Sequence, residues 1–164
     1  MGQKVNPVGL RIGISRDWNS RWYANNKDFA TFLDEDIKIR KFLEKKLKAC
    51  LVSHIEIERI KGKIKVSIFT AAPGMVLGQE AKNIKELKKE VSKLIKGKEV
   101  NLSVVEVKAP NLDATIVAQK MAKNLEERAS FRSVQKMAIR DVLKAGAVGC
   151  KTMVSGRLAG ADIV

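Results

Sequence analysis

The side chains of this chain that could bind a ligand are mainly cations, and the most regular of them recur every four positions. They are Arg132, Lys136, Arg140 and Lys144, with Arg128 one step earlier. On an α-helix a spacing of four advances about 40° per step, so these cations share one face, opposite Val134, Met137 and Val142. Such a row suits phosphate groups, because each cation can neutralise a phosphate and release its counterion. A solvated helix face is the alternative.

A glycine-centred turn is a second candidate for phosphate binding. It consists of Gly78, Gln79, Glu80 and Ala81, and it leads into a predicted helix. Glycine lets the backbone approach a sugar-phosphate chain, and the free amides at the following helix start favour anions. A four-residue turn occurs by chance in many chains, but its position after two alternating strands strengthens the prediction.

The first 26 residues combine cations with aromatic rings. They contain Lys4, Arg11, Arg16, Arg21, Trp18, Trp22 and Tyr23. The segment shows no helical period, which predicts an extended arm. Cations alternating with flat rings suit phosphate contacts and base stacking. The same aromatics could instead pin the arm to its own domain, and the two roles are compatible.

Groups suited to nucleophilic catalysis or zinc binding are sparse. His54 is the only histidine, and its place in a stretch predicted to be a strand favours a structural role. Cys50 and Cys150 lie far apart, and no Cys-x-x-Cys pair exists, so the pattern of a zinc site or a redox dithiol is missing. We therefore expect no catalytic residue, no metal site and no cofactor.

Three consecutive acids offer the pattern of a metal-dependent nuclease. Asp34, Glu35 and Asp36 could together hold a divalent ion. Adjacent residues at a helix start point in different directions, however, and acids there suit the helix dipole. The sequence therefore favours a protein that is not an enzyme.

Charge and composition are those of a folded protein that binds a polyanion. The 164 residues include 32 Lys and Arg against 18 Asp and Glu, a formal net charge of +14, and 45% are hydrophobic, enough for a packed core. Charge alone does not distinguish RNA from DNA or from an anionic membrane. No apolar run approaches the ~20 residues of a membrane span, and the start does not read as a secretory signal, so we expect a cytoplasmic protein without a membrane partner.

An α+β arrangement of elements must position these residues. Apolar positions from Phe29 to Leu47 follow a helical period, with Asp34 as the cap between a short helix and a longer one. Ser53–Ile60 and Lys63–Thr70 alternate with period two and predict a hairpin. A helix ending at Gly97 and a strand over residues 100–107 follow.

A break at residues 108–111 predicts a domain boundary. Beyond it, Asp113 caps a helix, and a second helix runs from about Ser130 to Ala145. Lys151–Arg157 reads as a strand without an evident partner, and seven residues follow it. We therefore expect a basic N-terminal arm (1–26), an α+β domain (27–108) and a smaller, incomplete α/β domain (109–164).

Four motifs follow one another along the chain: Met1–Arg11, Trp18–Ala24, Pro73–Gly78 and Val154–Leu158. In their order and spacing they resemble bacterial-type small-subunit ribosomal protein three. The resemblance covers essentially the whole chain, and relative to the family we expect the C-terminal part to be truncated. It implies a type II KH domain (α-β-β-α-α-β) followed by the smaller α/β domain. KH domains hold single-stranded nucleic acid with a Gly-x-x-Gly loop.

The resemblance also implies a role in translation. The chain would be a structural constituent of the head of the small ribosomal subunit, bind ribosomal RNA, and border the channel through which messenger RNA enters, helping to position and open it. The implied contacts to ribosomal RNA come from Lys4, Arg11, Arg16, Arg21, Trp22 and Arg157. Those to messenger RNA come from Arg128, Arg132, Lys136 and Arg140. The implied neighbours are small-subunit proteins ten and fourteen, and also two, four and five.

Two departures from the family pattern affect these expectations. Glu80 and Ala81 stand where the family has a basic, twice-glycine loop, and repulsion between Glu80 and a phosphate would be worth ~1 kcal/mol in water. We therefore expect this loop to hold RNA weakly, which disfavours the alternative of a free-standing KH-type RNA-binding regulator. Ser133 replaces a usual arginine between Arg132 and Lys136, so we expect reduced opening of structured messages.

Overall fold

The structure is a computed structural model that describes residues 2–60, 62–78, 81–95 and 98–158. Its helices are α1 (Pro7–Arg11), α2 (Asn26–Lys46), α3 (Pro73–Leu77), α4 (Lys82–Leu94), α5 (Ala114–Glu126) and α6 (Phe131–Lys144). Its strands are β1 (Ser20–Arg21), β2 (Val52–Ile60), β3 (Lys63–Thr70) and β4 (Val100–Glu106). The run from α2 to β4 has the helix-strand-strand-helix-helix-strand order that the resemblance implied. Within the described ranges, no helix has the length and apolarity to cross a bilayer.

The four strands form one sheet in the order β1-β2-β3-β4. Strands β2 and β3 form the predicted antiparallel hairpin, with Ile60 opposite Lys63. Strand β4 runs parallel to β3, with Val100 opposite Ile64, and this parallel pairing needs the crossover that α3 and α4 supply. Strand β1 adds a short parallel edge, since Ser20 pairs with Ile57.

One face of the sheet packs against α2, α3 and α4, and this interface is the main core. The buried apolar residues there include Ile39, Leu43, Ile55, Ile57, Ile64, Val66, Ile68, Val76, Leu87, Val91 and Val100. The strand members of this set recur with period two, which is why the hairpin could be predicted from the sequence. The core therefore fixes the orientation of α2 and α4 and the side chains that each exposes.

A smaller helical unit follows the sheet. Asp113 caps α5, and its carboxylate accepts hydrogen bonds from the backbone N–H groups of Thr115 (2.8 Å) and Ile116 (3.2 Å). Ile116 on α5 and Val134 on α6 are buried as the two helices pack together. The two helices predicted beyond residue 112 are thus confirmed: α5 begins after its Asp113 cap, and α6 is one residue shorter at each end than predicted.

The arm is not wholly extended, contrary to the sequence prediction. Residues Pro7–Arg11 form α1. Asn6 caps this helix, and its side chain accepts hydrogen bonds from the backbone N–H groups of Val8 and Gly9. Proline at the first helical position has its φ set for a helix. A helix of five residues is too short to show a period, so the sequence pattern could not reveal it.

Helix α2 is continuous, and the predicted cap at Asp34 is wrong. Asp34 lies inside the helix, and its carboxylate pairs with Lys38 one turn later, at 2.6 Å. Glu35 and Asp36 are buried partners of cations on other elements. These ion pairs form only if the helix continues through residues 34–36, so the three acids stabilise one long helix and do not end a short one.

The strand predicted over residues 151–157 is also wrong, because this segment is irregular. The described sheet ends at β1 and β4, and neither edge pairs with residues 151–157. A segment that finds no partner edge leaves the hydrogen-bonding groups of its backbone unpaired and does not form a strand. Gly97, predicted to end α4, lies outside the described residues, and the helix itself ends at Leu94.

Candidate nucleic-acid interface

The cationic row on α6 lies on an exposed helix face. Arg132, Lys136, Arg140 and Lys144 are all exposed. Val134 and Val142 hold the opposite face in place, at 1% and 8% exposure. Met137 was predicted to lie on the buried side, but it is 38% exposed, because its position falls beside the cationic row.

The charges of this row are largely available to a ligand. Arg140 Nε lies 3.6 Å from Asp141 Oδ1, an exposed pair that contributes little. Across the described ranges, Arg132, Lys136 and Lys144 form no ion pair, although the Arg132 guanidinium lies over the Phe131 ring. Arg128 is exposed in the turn that joins α5 to α6, where it adopts a left-handed φ of 63°.

Trp22, predicted to contact RNA, pins the arm to α2. Its indole N–H donates a 2.8 Å hydrogen bond to Asp36 Oδ2, and its ring packs against Phe29 and Phe32. Trp18 and Tyr23, in contrast, are 61% and 88% exposed, so their rings are accessible for stacking. The geometry favours the pin for Trp22, and its contact with RNA stays a prediction.

The cations of the arm differ in how far carboxylates within the chain already compensate their charge. Lys4 and Arg16 are exposed, and Arg11 donates to the carbonyl of Pro7 at 2.7 Å. Arg21 is surrounded by carboxylates, at distances of 3.1 Å to Asp17, 3.5 Å to Glu56 and 3.1 Å to Glu58. Arg157 is exposed in the irregular segment after α6. Arg21 is thus the predicted arm cation whose charge is most fully compensated.

The glycine-centred turn is described only at its two ends, because Gln79 and Glu80 lie outside the described residues. Gly78 has φ 69° and ψ 179°, a region essentially restricted to glycine. A Cβ at this position would lie 2.5 Å from Asn83 Cγ. Ala81 takes the left-handed conformation, at φ 56° and ψ 28°, which is strained for a residue with a Cβ.

The acids that could have formed a nuclease site are occupied by cations. Arg59 donates to Glu35 at 2.7 Å and to Asp36 at 2.6 Å, and Lys98 donates to Glu35 at 2.6 Å. Burial raises the pKa of Glu35, but the hydrogen bonds and charges of Lys98 and Arg59 outweigh it and leave that pKa below 4.5. Over the residues that the structure describes, no group of three or more His, Cys, Asp or Glu is arranged to hold a metal ion.

Ser53, His54 and Asp113 meet, but not in a catalytic arrangement. The Ser53 hydroxyl donates to Asp113 Oδ2 at 2.5 Å, and His54 Nδ1 lies 2.8 Å from the same Ser53 oxygen. Because the single hydroxyl proton points to the carboxylate, His54 cannot act as its base. Burial lowers the pKa of His54, whose ring stacks on Phe69 at 4.3 Å. The cluster joins β2 to the start of α5.

Sequence reasoning missed two sets of cations. Arg40 and Arg59 are structural, since their partners are brought together only by the fold. Arg40 donates to the backbone carbonyls of Asn19 and Ile55, and Arg59 binds the acids of α2. A further set, Lys85, Lys89 and Lys93, is exposed on α4 with the same spacing of four as the row on α6. That spacing was a signal in the sequence that could have been used.

Comparisons with known proteins agree with this architecture. Residues 38–112 match the family model described as KH domain, and residues 121–164 match the one described as Ribosomal protein S3, C-terminal domain. The chain is 53% identical over 163 residues to small ribosomal subunit protein uS3 of Staphylococcus aureus strains Mu3, Mu50 and N315. The match covers 99% of this chain and 74% of each relative.

These matches confirm the resemblance and the fold class predicted from the sequence, an α+β chain with a type II KH domain followed by a smaller C-terminal domain. An identity of 53% along nearly the whole chain is far above the identity that unrelated proteins reach by chance. The chain therefore belongs to the family of small ribosomal subunit protein uS3, whose members are RNA-binding structural proteins of the cytoplasmic ribosome and not enzymes.

Proposed function

We propose that the chain is a structural constituent of the small-subunit head that binds ribosomal RNA and borders the channel through which messenger RNA enters. The row on α6 faces the message in this proposal. It holds the phosphates of incoming RNA and helps to keep separated strands apart. Backbone contacts of this kind position RNA without reading its bases, and the process needs no hydrolysis on the protein.

The observation that carries the proposal is the arrangement of charge on α6. Four exposed cations lie on one side of the helix, while Val134 and Val142 bury the other side. Like charges four residues apart destabilise a helix by about 0.2–0.5 kcal/mol per pair. Because the described residues provide the row with only one weak ion pair, at Arg140, a polyanionic ligand is the partner that would relieve this repulsion.

The arm supplies contacts to ribosomal RNA in this proposal. Lys4, Arg11 and Arg16 offer exposed charge, Arg157 adds a cation from the other end of the chain, and Arg21 and Trp22 contribute chiefly by holding the arm in place. The protein neighbours are small-subunit proteins ten and fourteen in the head, and also two, four and five. The proposed division is an arm (1–26), the KH domain (27–108) and the smaller domain (109–164).

A translation assay with reconstituted small subunits tests the channel role. Replacing Arg132→Ala together with Lys136→Ala should leave subunit assembly intact but slow translation through messages that contain hairpins. Lys27→Ala with Lys108→Ala is the matched control, because these lysines are also exposed and form no described ion pair. Equal rates for the two double variants on hairpin-containing messages would overturn the channel role.

The alternative of a free-standing RNA-binding regulator has less support. Such a protein depends on its Gly-x-x-Gly loop for single-stranded RNA. Here the second glycine is replaced by Ala81, which carries the strain of a left-handed backbone. A clear sequence preference of the isolated protein for short single-stranded RNA would favour the regulator instead.

A further inference from the structure

Helix α4 carries a second row of cations, at Lys85, Lys89 and Lys93. The helix buries Leu87 and Val91 against the sheet, at 7% and 0% exposure. At 100° per residue the three lysines span about 80° of the helix surface, on the side opposite these buried residues. With a rise of 1.5 Å per residue, successive lysines are spaced about 6 Å apart along the axis. The row therefore follows a gently winding path over the exposed face of α4.

Several lysines of the KH domain pair with an acid, but this row does not. Ion pairs join Lys38 to Asp34, Lys46 to Glu90, Lys63 to Glu99, Lys65 to Glu58 and Lys98 to Glu35. In the described part of the chain, Lys85, Lys89 and Lys93 have no ion pair and no side-chain hydrogen bond. Their charge is therefore available to a partner outside the chain.

The two acids of α4 do not neutralise the row. Glu90 extends toward α2, where its carboxylate lies 3.2 Å from Lys46 Nζ. Glu86 lies at the edge of the row but forms no ion pair with Lys89 among the described contacts. The two acids therefore lower the positive potential near the row, but neither is described in an ion pair with Lys85, Lys89 or Lys93.

The spacing has an energetic consequence for the helix. Lys85 and Lys89 form one like-charge pair at i,i+4, and Lys89 and Lys93 form another, and each destabilises the helix by about 0.2–0.5 kcal/mol. No described contact offsets this repulsion. Natural proteins tend to keep such unfavourable local spacings at functional sites, where a ligand offsets their cost.

We propose that Lys85, Lys89 and Lys93 form a phosphate-binding row that contacts the sugar-phosphate backbone of RNA. This inference rests on the RNA-binding function proposed above and adds a surface to it. The row begins one helical turn after the glycine-centred turn, where Glu80 and Ala81 disfavour the usual grip on phosphate. Lysines along α4 thus supply backbone contact that the turn has lost, and they hold RNA without reading its sequence.

Salt-dependent binding of the full chain to a small-subunit ribosomal RNA fragment tests the row. The test variant replaces Lys85→Gln, Lys89→Gln and Lys93→Gln. The control replaces Lys27→Gln, Lys108→Gln and Lys151→Gln, three exposed lysines on separate parts of the chain. Both variants lose three positive charges, so they differ only in where the charge is removed. Circular dichroism and thermal unfolding establish that both remain folded.

Loss of three phosphate contacts should reduce the slope of log K against log salt by about 2–3 and weaken binding at 0.1 M salt by roughly tenfold to a hundredfold. The control should lose less than half as much in slope. Equal reductions in both variants would show a general effect of net charge. They would overturn the proposed role of this row and leave the RNA-binding function standing. If the wild-type chain fails to bind the fragment, both this inference and the RNA-binding function on which it rests are overturned.

Discussion

The indole nitrogen of Trp22 lies 2.8 Å from Asp36 Oδ2, and this hydrogen bond fastens the N-terminal arm to α2. The Ser20 hydroxyl donates to the same oxygen at 3.2 Å. Arg40 holds the adjoining backbone through the carbonyl of Asn19, at 2.8 Å. The arm is therefore held against α2 at residues 19–22, and its exposed cations lie on either side of this attachment.

Replacing Trp22→Phe should destabilise the protein by about 1–3 kcal/mol, because a hydrogen bond to a charged carboxylate is lost while a ring remains against Phe29 and Phe32. Urea unfolding measures this change. Trp18→Phe is the control, because Trp18 is 61% exposed and its indole forms no described hydrogen bond. We expect less than about 0.5 kcal/mol there. Similar losses in both variants would contradict the pin.

Acid should weaken the fold through Glu35 and Asp113. Burial raises the pKa of each carboxyl, but hydrogen bonds from Lys98 and Arg59 to Glu35, and from Ser53 and the α5 backbone to Asp113, leave both below their ordinary values of 4.5 and 3.8. A carboxyl with a lowered pKa stabilises the fold at pH values above its ordinary pKa. That stability is lost as the pH falls through the lowered value.

The measurement is the free energy of unfolding from about pH 6 down to about pH 3. Glu35→Gln should lower stability at neutral pH, because Lys98 and Arg59 lose their charged partner. It should also flatten the decline in acid, since one titrating group has been removed. An acid decline as steep as that of the wild type would mean that Glu35 does not contribute to it.

The ends of the glycine-centred turn should respond to substitution with opposite signs. Gly78→Ala should destabilise the protein by about 1–3 kcal/mol, because φ 69° with ψ 179° excludes a side chain and the new Cβ would meet Asn83. Ala81→Gly should stabilise it by about 0.5–1 kcal/mol, because glycine adopts the left-handed conformation without strain.

Gly74→Ala is the control for the turn, because a Cβ at this helical position meets no atom within 4 Å. It should be neutral or stabilise by up to about 1 kcal/mol. Thermal unfolding of the three variants compares these effects. A loss of stability in Ala81→Gly, or no loss in Gly78→Ala, would show that the backbone of the turn differs from the one described.

Local patterns made the hairpin and the second domain's helices predictable. Ile55, Ile57 and Ile64 fall on alternating positions that β-strands turn to one face, and Asp113 precedes α5 as a capping residue should. The row on α6 was predictable for the same reason, since four-residue spacing and helix geometry are both local. These features need no knowledge of distant residues.

Features that depend on distant partners could not be read in this way. Asp36 resembles an N-terminal helix acid until Arg59 and Trp22, 23 and 14 positions away, are seen to bind it. The same partners decide that Trp22 serves as a pin. A segment such as Lys151–Arg157 becomes a strand only if a sheet edge is available to it, and that is a property of the whole fold.

The parallel pairing of β1 with β2 has a consequence for synthesis of the chain. Arg21 meets Glu58, which follows it by 37 positions, so the arm emerges from a ribosome well before its docking strand exists. During that interval Arg21 has no Glu56 or Glu58 to compensate its charge. A newborn chain therefore exposes this cation to other polyanions nearby until synthesis of β2 is complete.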